Sequence, residues 1–387
     1  MQPPPLAQVP RASRVATNVH FFVGGLLFAS WGVHVPTVRQ QYDLTEAELS
    51  WLMLAAGLGS LIALTRVGNW VARHGARPVV LAAGLVLCLS LALLLHMPSY
   101  FAAMAVLFVF GLANGSFDVA MNAEAVAVET AYARPIMSSF HGFFSLGGMA
   151  GALLGSSVAA AGIAPVWHLA GVGVMCFASI WLAAGHMLPA EHTHAPEHAD
   201  APFRLPRGLL LLLGMLAAFG LIGEGAMYDW STLYMVRVLD SPVAIAALAY
   251  GTFSAAMAAG RFGGDFVRAR LGARRTLTLS AWLAALAMLA ALAISQPWAA
   301  LAGFALVGLG FSNIVPVLFS AAARVPGVPA ANGIAAVSGA GYLGFMVGPP
   351  LIGFLAHHWG LGVGLLVVAV FAALVGALAR RAMATMD

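Results

Sequence analysis

Acidic side chains inside long apolar segments are the groups in this sequence best placed to do chemistry. Asp118 lies four residues after Asn114 and four before Asn122, so a helix through this segment places all three on one face. Glu124 lies on another face of the same segment. A carboxylate inside a membrane helix costs roughly 2.5–3.5 kcal/mol, and such groups usually face a cavity or carry protons. Asp118 and Glu124 are therefore candidates for proton coupling; Asp118 has solute binding or a structural hydrogen bond as alternatives.

A second apolar segment carries Glu224 and Asp229. Glycines on both sides of Glu224 permit a bend, and an acid beside a bend can couple protonation to movement. Asp229 would lie about 140° around the helix from Glu224, so an unbroken helix cannot present both to one cavity. Both are proton-coupling candidates, with a structural role for one of them as the alternative. His141 is a further candidate because its depth is close to that of Glu124, and a His bonded to a neighbouring helix is the alternative.

Aromatic and amide side chains in the apolar segments complete the candidate solute site. Aromatic faces suit the apolar side of a sugar or cyclitol and the charge of an amine. The alternative is that these Trp and Tyr residues are membrane-interface anchors. The substrate-binding candidates are Trp31, Asn114, Asn122, Tyr228, Trp230, Tyr250, Asn313, Asn332 and Tyr342.

Charged residues near the ends of the apolar segments form a third group. Ion pairs and helix-end contacts made by such residues would hold one side of a membrane cavity shut, whereas the alternative is that the arginines only set topology. The gating candidates are Arg66, Arg73, Arg77, Arg261, Asp265, Arg268 and Arg270.

The segments that carry these residues are long enough to cross a membrane. The chain is 61% hydrophobic and 8% charged, whereas soluble domains are about 25% charged. Runs of about 20 apolar residues predict an all-α membrane protein with twelve spans, near 17–38, 47–68, 78–97, 99–128, 136–161, 166–188, 208–236, 243–267, 275–295, 298–323, 331–356 and 360–380.

Short motifs recur at a fixed distance along the chain. The Gly-Ala-Arg of 75–77 returns at 272–274, and the Leu-Gly-x-Met-x-Gly of 146–151 returns at 343–348, each 197 residues later. A duplication of this length predicts two six-helix bundles related by a pseudo-twofold axis. The predicted divisions are a tail at 1–16, a first bundle at 17–188, a linker at 189–206, a second bundle at 207–381 and a tail at 382–387.

The arginines predict the orientation of the chain. With the amino terminus inside, all but Arg39 and Arg237 of the 18 basic residues lie at cytoplasmic ends, as the positive-inside rule requires. Both termini are therefore predicted to be cytoplasmic. Cys88 and Cys176 lie inside spans and are interpreted as small core residues. No metal, cofactor or nucleic-acid partner is expected, and the chain is expected to function as a monomer.

The loop at 68–77 resembles the signature loop of the major facilitator superfamily. Ala72 stands where that pattern has an Asp. The residues that match the pattern are Gly68, Arg73, Gly75 and Arg77.

A narrower likeness rests on residues 117–129, 137–142 and 224–231. These segments look like a bacterial inner-membrane branch related to the fucose–proton symporters, which includes rhizopine-associated membrane proteins. The resemblance implies the twelve-helix fold and transport by alternating access. Fucose-type symporters use a carboxylate in the first span, but residues 17–38 contain none. Coupling by the same residue pair is therefore not expected.

Together these features predict a secondary active transporter in the inner membrane. The expected partners are a small polar solute such as a sugar, polyol or cyclitol, a proton as coupling ion, and the lipid bilayer. A proton-driven exporter of drugs or metabolites is the alternative. An enzyme is not expected, because the sequence has no Gly-x-x-x-x-Gly-Lys loop, no His-Glu-x-x-His and no Gly-x-Ser-x-Gly motif.

Overall fold

The computed structural model describes residues 11–132, 136–193, 207–328 and 330–383. The ends of both predicted tails, at 1–10 and 384–387, and most of the predicted linker, at 194–206, lie outside the described residues. Two candidates, Asp265 and Asn332, are described only by their backbone.

The described residues are mostly helical, because a backbone in lipid must satisfy its hydrogen bonds within its own segment. In chain order the helices are α1 (Arg11–Gln41), α2 (Glu46–His74), α3 (Ala76–Leu93), α4 (Tyr100–Tyr132), α5 (Met137–Ala160), α6 (Pro165–Ala184), α7 (Ala190–Thr193), α8 (Leu209–Arg237), α9 (Val243–Ile294), α10 (Pro297–Phe311), α11 (Ile314–Ala322), α12 (Ala330–Trp359) and α13 (Leu361–Ala382). A short 3₁₀ turn, Leu94–His96, extends α3. Within the described residues, twelve segments are long and apolar enough to cross a membrane. This number and the helical class confirm the prediction.

Several helices extend beyond the apolar runs that predicted them. α1 begins at Arg11, before the predicted start at residue 17, and α2 continues to His74. Two helical segments meet inside α9 at the non-helical Gly272, which lies in the loop predicted between 267 and 275. A helix bonds its own backbone in the polar interface as well as in hydrocarbon, so only its apolar part is visible in a hydropathy pattern.

The sequence repeat is present in the backbone geometry. Gly75, which precedes α3, has φ 79° and ψ 170°. Gly272, at the bend inside α9, has φ 77° and ψ 161°. This region of φ and ψ is essentially restricted to glycine. The two recurring Gly-Ala-Arg motifs therefore make the same turn.

The repeat also extends to the contacts between helices. A side chain at Gly111 of α4 would overlap the carbonyl oxygen of Ala56 in α2, and one at Gly308 of α10 would overlap that of Phe253 in α9. Ala56 and Phe253 are separated by the same 197 residues as Gly111 and Gly308. Glycine is required at both places because the two backbones approach too closely for a Cβ.

The chain divides into two compact units. Unit 1 contains residues up to Tyr42 and residues 55–201; unit 2 contains residues 43–54 and 202–387. In unit 1, α1 packs against α5 and α6, and α3 packs against α4 and α6. In unit 2, α8 packs against α12 and α13, and α9 packs against α10 and α13. The bundle limits predicted from the repeat, 17–188 and 207–381, stay a prediction.

Candidate functional site

An ion pair between α8 and α9 brings together two predicted residues of unit 2. Arg261 Nη2 lies 3.0 Å from Glu224 Oε1, and the two side chains are 15% and 10% exposed. The sequence predicts Glu224 as a proton carrier and Arg261 as a gating residue, but it does not predict that they pair. A largely buried pair of this kind makes the charge of each side chain depend on the other.

Tyr228 adds a second donor to the same carboxylate. Its hydroxyl donates to Glu224 Oε1 at 3.4 Å. Its ring centroid lies 4.9 Å from that of Tyr250 and meets the Phe253 ring edge-on at 5.1 Å. Three predicted residues, Glu224, Tyr228 and Tyr250, thus form one cluster with Arg261.

Polar atoms without protein partners lie deep in unit 2. Trp230 and Tyr250 are fully buried. Within the described residues, Trp230 Nε1 and the Tyr250 hydroxyl have no hydrogen-bond partner. Buried polar groups are normally hydrogen-bonded, so a hydrogen bond from a polar ligand or a water to either atom is energetically favourable. Asp229 is also buried. Because α8 is a single helix from Leu209 to Arg237, Asp229 and Glu224 lie on different faces of it.

A break between α10 and α11 lies against the helix that carries Arg261. Asn313 occupies the break, with φ −106° and ψ −8°, and its Nδ2 donates to Ser312 Oγ at 3.0 Å. Side chains at Gly260 and Gly264 of α9 would overlap Ser312 and Asn313 respectively. Glycines at these two positions flank Arg261 and let α9 approach the break. They are the sequence signal that would have placed Arg261 inside the helix bundle.

In unit 1, the predicted stripe on α4 is confirmed as a helical face. Asn122 Nδ2 donates to the Asp118 carbonyl oxygen at 2.9 Å and to Asp118 Oδ1 at 3.1 Å. Asp118, Asn122 and Asn114 are all half-buried. In unit 1, Asp118 therefore accepts a hydrogen bond from the Asn122 amide one turn along the helix, whereas in unit 2 Glu224 pairs with the Arg261 guanidinium.

The other acids of α4 bond to backbone groups. Glu124 is fully buried, and its Oε1 accepts the Leu188 N–H at 2.7 Å. Glu129 Oε2 accepts the N–H groups of Ile136 and Met137 at 2.7 and 2.6 Å. Glu129 thus caps the amino terminus of α5, where helix N–H groups lack helical partners and favour an anion. This role of Glu129 was not predicted, because its partners lie beyond the end of its own helix.

A buried histidine pair in unit 1 was also missed. His34 Nε2 lies 2.8 Å from His168 Nδ1, and His34 Nδ1 lies 3.2 Å from Thr37 Oγ1. His34 and His168 are 134 residues apart in the chain, and no local pattern announces such a contact. His141 meets the Phe21 ring edge-on at 5.2 Å. Its predicted relay with Glu124 stays a prediction.

The remaining candidates differ in exposure. Trp31 is buried, whereas Tyr342 is 42% exposed. Arg268 Nη1 donates to Ser320 Oγ at 2.9 Å, and the Arg270 guanidinium lies 4.1 Å from the Phe266 ring centroid. Three further gating candidates, Arg66, Arg73 and Arg77, are exposed.

Within the described residues, twelve segments that are long and apolar enough to cross a membrane and a duplicated scaffold define a polytopic membrane protein. The chain belongs to the Major Facilitator Superfamily, whose family model matches residues 18–333. It is 36% identical over 369 residues to an uncharacterised transporter of this type from Yersinia pestis, and the aligned region covers 95% of each chain. It is 33% identical over 355 residues to the membrane protein MosC of Rhizobium meliloti, and the aligned region covers 91% of this chain and 86% of MosC.

Solved structures share the fold at much lower identity. A bacterial homologue of the human lysosomal transporter Spinster, in an inward-facing and occupied conformation, matches with a TM-score of 0.76, 13% identity and 96% coverage of both chains. The nucleoside transporter NupG matches with a TM-score of 0.72 and 13% identity, over 97% of this chain and 99% of NupG.

Proposed function

We propose that the chain is a secondary active transporter that moves a small polar solute by alternating access, with a proton as the coupling ion. The solute class is a sugar, a polyol or a cyclitol derivative, and the membrane is the bacterial inner membrane with both termini cytoplasmic and the monomer as the working unit. Superfamily membership supports transport. The bacterial origin of the relatives supports the location.

The observation that carries the proposal is the Glu224–Arg261 pair. Both side chains are largely buried, and the carboxylate oxygen also accepts the Tyr228 hydroxyl. Adding a proton to Glu224 removes its charge and leaves the Arg261 guanidinium without an ionic partner. Because an unpaired buried charge is costly, protonation favours any conformation that gives Arg261 another partner or more water. Proton binding and movement of α8 against α9 are thereby linked.

The solute contacts proposed for unit 2 are its unpartnered polar atoms. Trp230 Nε1 can donate a hydrogen bond, and the Tyr250 hydroxyl can donate or accept one. The rings beside them offer apolar faces that suit the C–H surface of a sugar or cyclitol. In unit 1, Asp118 with Asn122 is proposed as a polar solute contact of that unit.

A proton-driven exporter of drugs or metabolites is the second candidate. The aromatic cluster of Tyr228, Tyr250 and Phe253 favours it, because ring faces also attract lipophilic cations. The same acid would carry the proton in this case, and only the solute and the direction differ.

Proteoliposomes containing a pH-sensitive dye test the proposal. L-fucose, myo-inositol and an amino-cyclitol are added singly, and we expect at least one to drive proton entry into vesicles that contain the protein. Glu224→Gln should abolish this proton entry. Asp240→Asn is the matched control, since Asp240 is exposed and its φ of 47° suits Asn. Proton movement driven only by tetraphenylphosphonium would instead support the exporter.

A further inference from the structure

A groove on unit 1 is lined by three helices and is almost entirely apolar. It has a volume of about 350 Å³. The polar hydroxyl in its lining, that of Ser116, donates to the Leu112 carbonyl oxygen of its own helix at 2.7 Å. The lining residues are Trp70, His74, Pro78, Val79, Ala82, Ala83, Val86, Leu112, Ala113 and Ser116. A space of this kind accepts hydrocarbon rather than a polar solute.

One end of the groove has the features of a membrane interface. Trp70 is 60% exposed. His74, at the end of α2, places Nδ1 3.1 Å from the Trp70 carbonyl oxygen. Trp side chains and basic residues at helix ends are typical of the headgroup region of a bilayer. The apolar part continues along α3 from Pro78 to Val86, a rise of about 12 Å.

Two exposed arginines lie next to this end of the groove in the sequence. Arg73 and Arg77 adjoin the lining residues His74 and Pro78, and both arginines are exposed. The loop contains no acid, because Ala72 stands where the superfamily pattern has Asp. Within the described residues, neither guanidinium takes part in an ion pair.

The corresponding loop of unit 2 differs. There Arg268 bonds to Ser320, and Arg270 lies over the Phe266 ring. In unit 1, Arg73 and Arg77 adjoin the lining of the apolar groove.

We propose that this groove binds one anionic diacyl phospholipid. An acyl chain fills the space between α2, α3 and α4, and the phosphate is held by Arg73 and Arg77. The lipid phosphate takes the place of the acid that Ala72 replaces. The occupant is anionic because the two exposed arginines adjoin the lining residues, and it is a lipid because the remainder of the site is hydrocarbon-like. This site is separate from the solute site, so its occupancy does not depend on the proposed transport.

Native mass spectrometry of the full chain, purified in a neutral detergent, tests the proposal. Dioleoylphosphatidylglycerol and dioleoylphosphatidylcholine are titrated separately, and we expect tight retention of one phosphatidylglycerol and no comparable retention of phosphatidylcholine. The double variant Arg73→Gln/Arg77→Gln should lower phosphatidylglycerol retention about 25-fold, since each interfacial cation contributes roughly fivefold. Ala82→Trp should lower it as well, because Ala82 lines the groove, is exposed and has room for a larger side chain.

The control is Arg380→Gln/Arg381→Gln, which removes the same charge from the exposed end of α13. Retention should be unchanged in this control. Equal losses in both double variants would show a general charge effect and overturn the proposal, as would equal retention of the two lipids. Equally tight retention of inorganic phosphate, or no effect of Ala82→Trp, would also overturn the proposal, because neither result needs an acyl chain in the groove. If Ala82→Trp does not fold, Val86→Trp provides the same test, since Val86 is 39% exposed.

Discussion

Unit 1 and unit 2 share their packing but differ in the charges that they bury. Gly111 on Ala56 in unit 1 is repeated by Gly308 on Phe253 in unit 2, and the turn at Gly75 is repeated at Gly272. These positions hold the backbones together and work equally well in either unit. The duplicated positions therefore describe the scaffold.

The buried charged positions, by contrast, are not duplicated. At the repeat offset, Glu224 and Arg261 of unit 2 correspond to Leu27 and Leu64 of unit 1. Asp118 of unit 1 corresponds to Val315 of unit 2 in the same way. The two units therefore share their helix packing but carry different buried charged residues. This difference agrees with the proposal that the pair in unit 2 couples protons and that Asp118 in unit 1 contacts solute.

The largest expected effect comes from breaking the ion pair on one side. Arg261→Leu leaves the Glu224 carboxylate buried without its cation, and the cost should be about 3–5 kcal/mol. Glu224→Leu/Arg261→Leu gives unit 2 the residues that unit 1 has, and it should be close to the wild type in stability. Thermal unfolding in detergent measures both. Equal losses in the single and double variants would mean that the pair is not the source of the effect.

Next in size are the close approaches of the helices. Gly111→Ala and Gly308→Ala each place a methyl group against a backbone carbonyl, so each should lower stability by about 1–3 kcal/mol. Gly171→Ala is the matched control, because a Cβ there has no neighbour within 4 Å. A large loss at one of the pair and none at the other would contradict the shared packing.

The glycine turns should show a slightly smaller effect. Gly75→Ala and Gly272→Ala force a side chain into a positive φ, at a cost of about 1–2 kcal/mol each. Gly263→Ala, within a helical part of α9 and with open space around it, serves as the reference. Unfolding midpoints of Gly75→Ala and Gly272→Ala that equal that of Gly263→Ala would show that neither turn requires glycine.

Asp118→Asn should have the smallest effect on stability, below about 1.5 kcal/mol, since the new amide oxygen can still accept from Asn122. Solute uptake at low concentration should fall because a charged contact is lost. The pH dependence of uptake should stay that of the wild type. A changed pH dependence would move part of the proton coupling into unit 1.

The scaffold could be predicted because apolar runs and repeated motifs depend on residues that are close together in the sequence. The twelve spans and the turn at Gly75 follow from residues that are close in the chain. The pairs were not predictable in the same way. Glu224 and Arg261 are 37 residues apart, and His34 and His168 are 134 apart. Such contacts depend on how the helices pack. Arg261 was predicted to be a gating residue because the sequence shows only that it lies near the end of an apolar segment.

Solute exchange and proton-driven accumulation, measured on the same Glu224→Gln proteoliposomes, test the central claim most directly. Exchange of labelled solute without a pH gradient needs binding and movement but no net proton transfer. We expect Glu224→Gln to retain exchange and to lose accumulation, while Asp240→Asn retains both. Accumulation that persists in Glu224→Gln would contradict the assignment of proton coupling to the pair in unit 2.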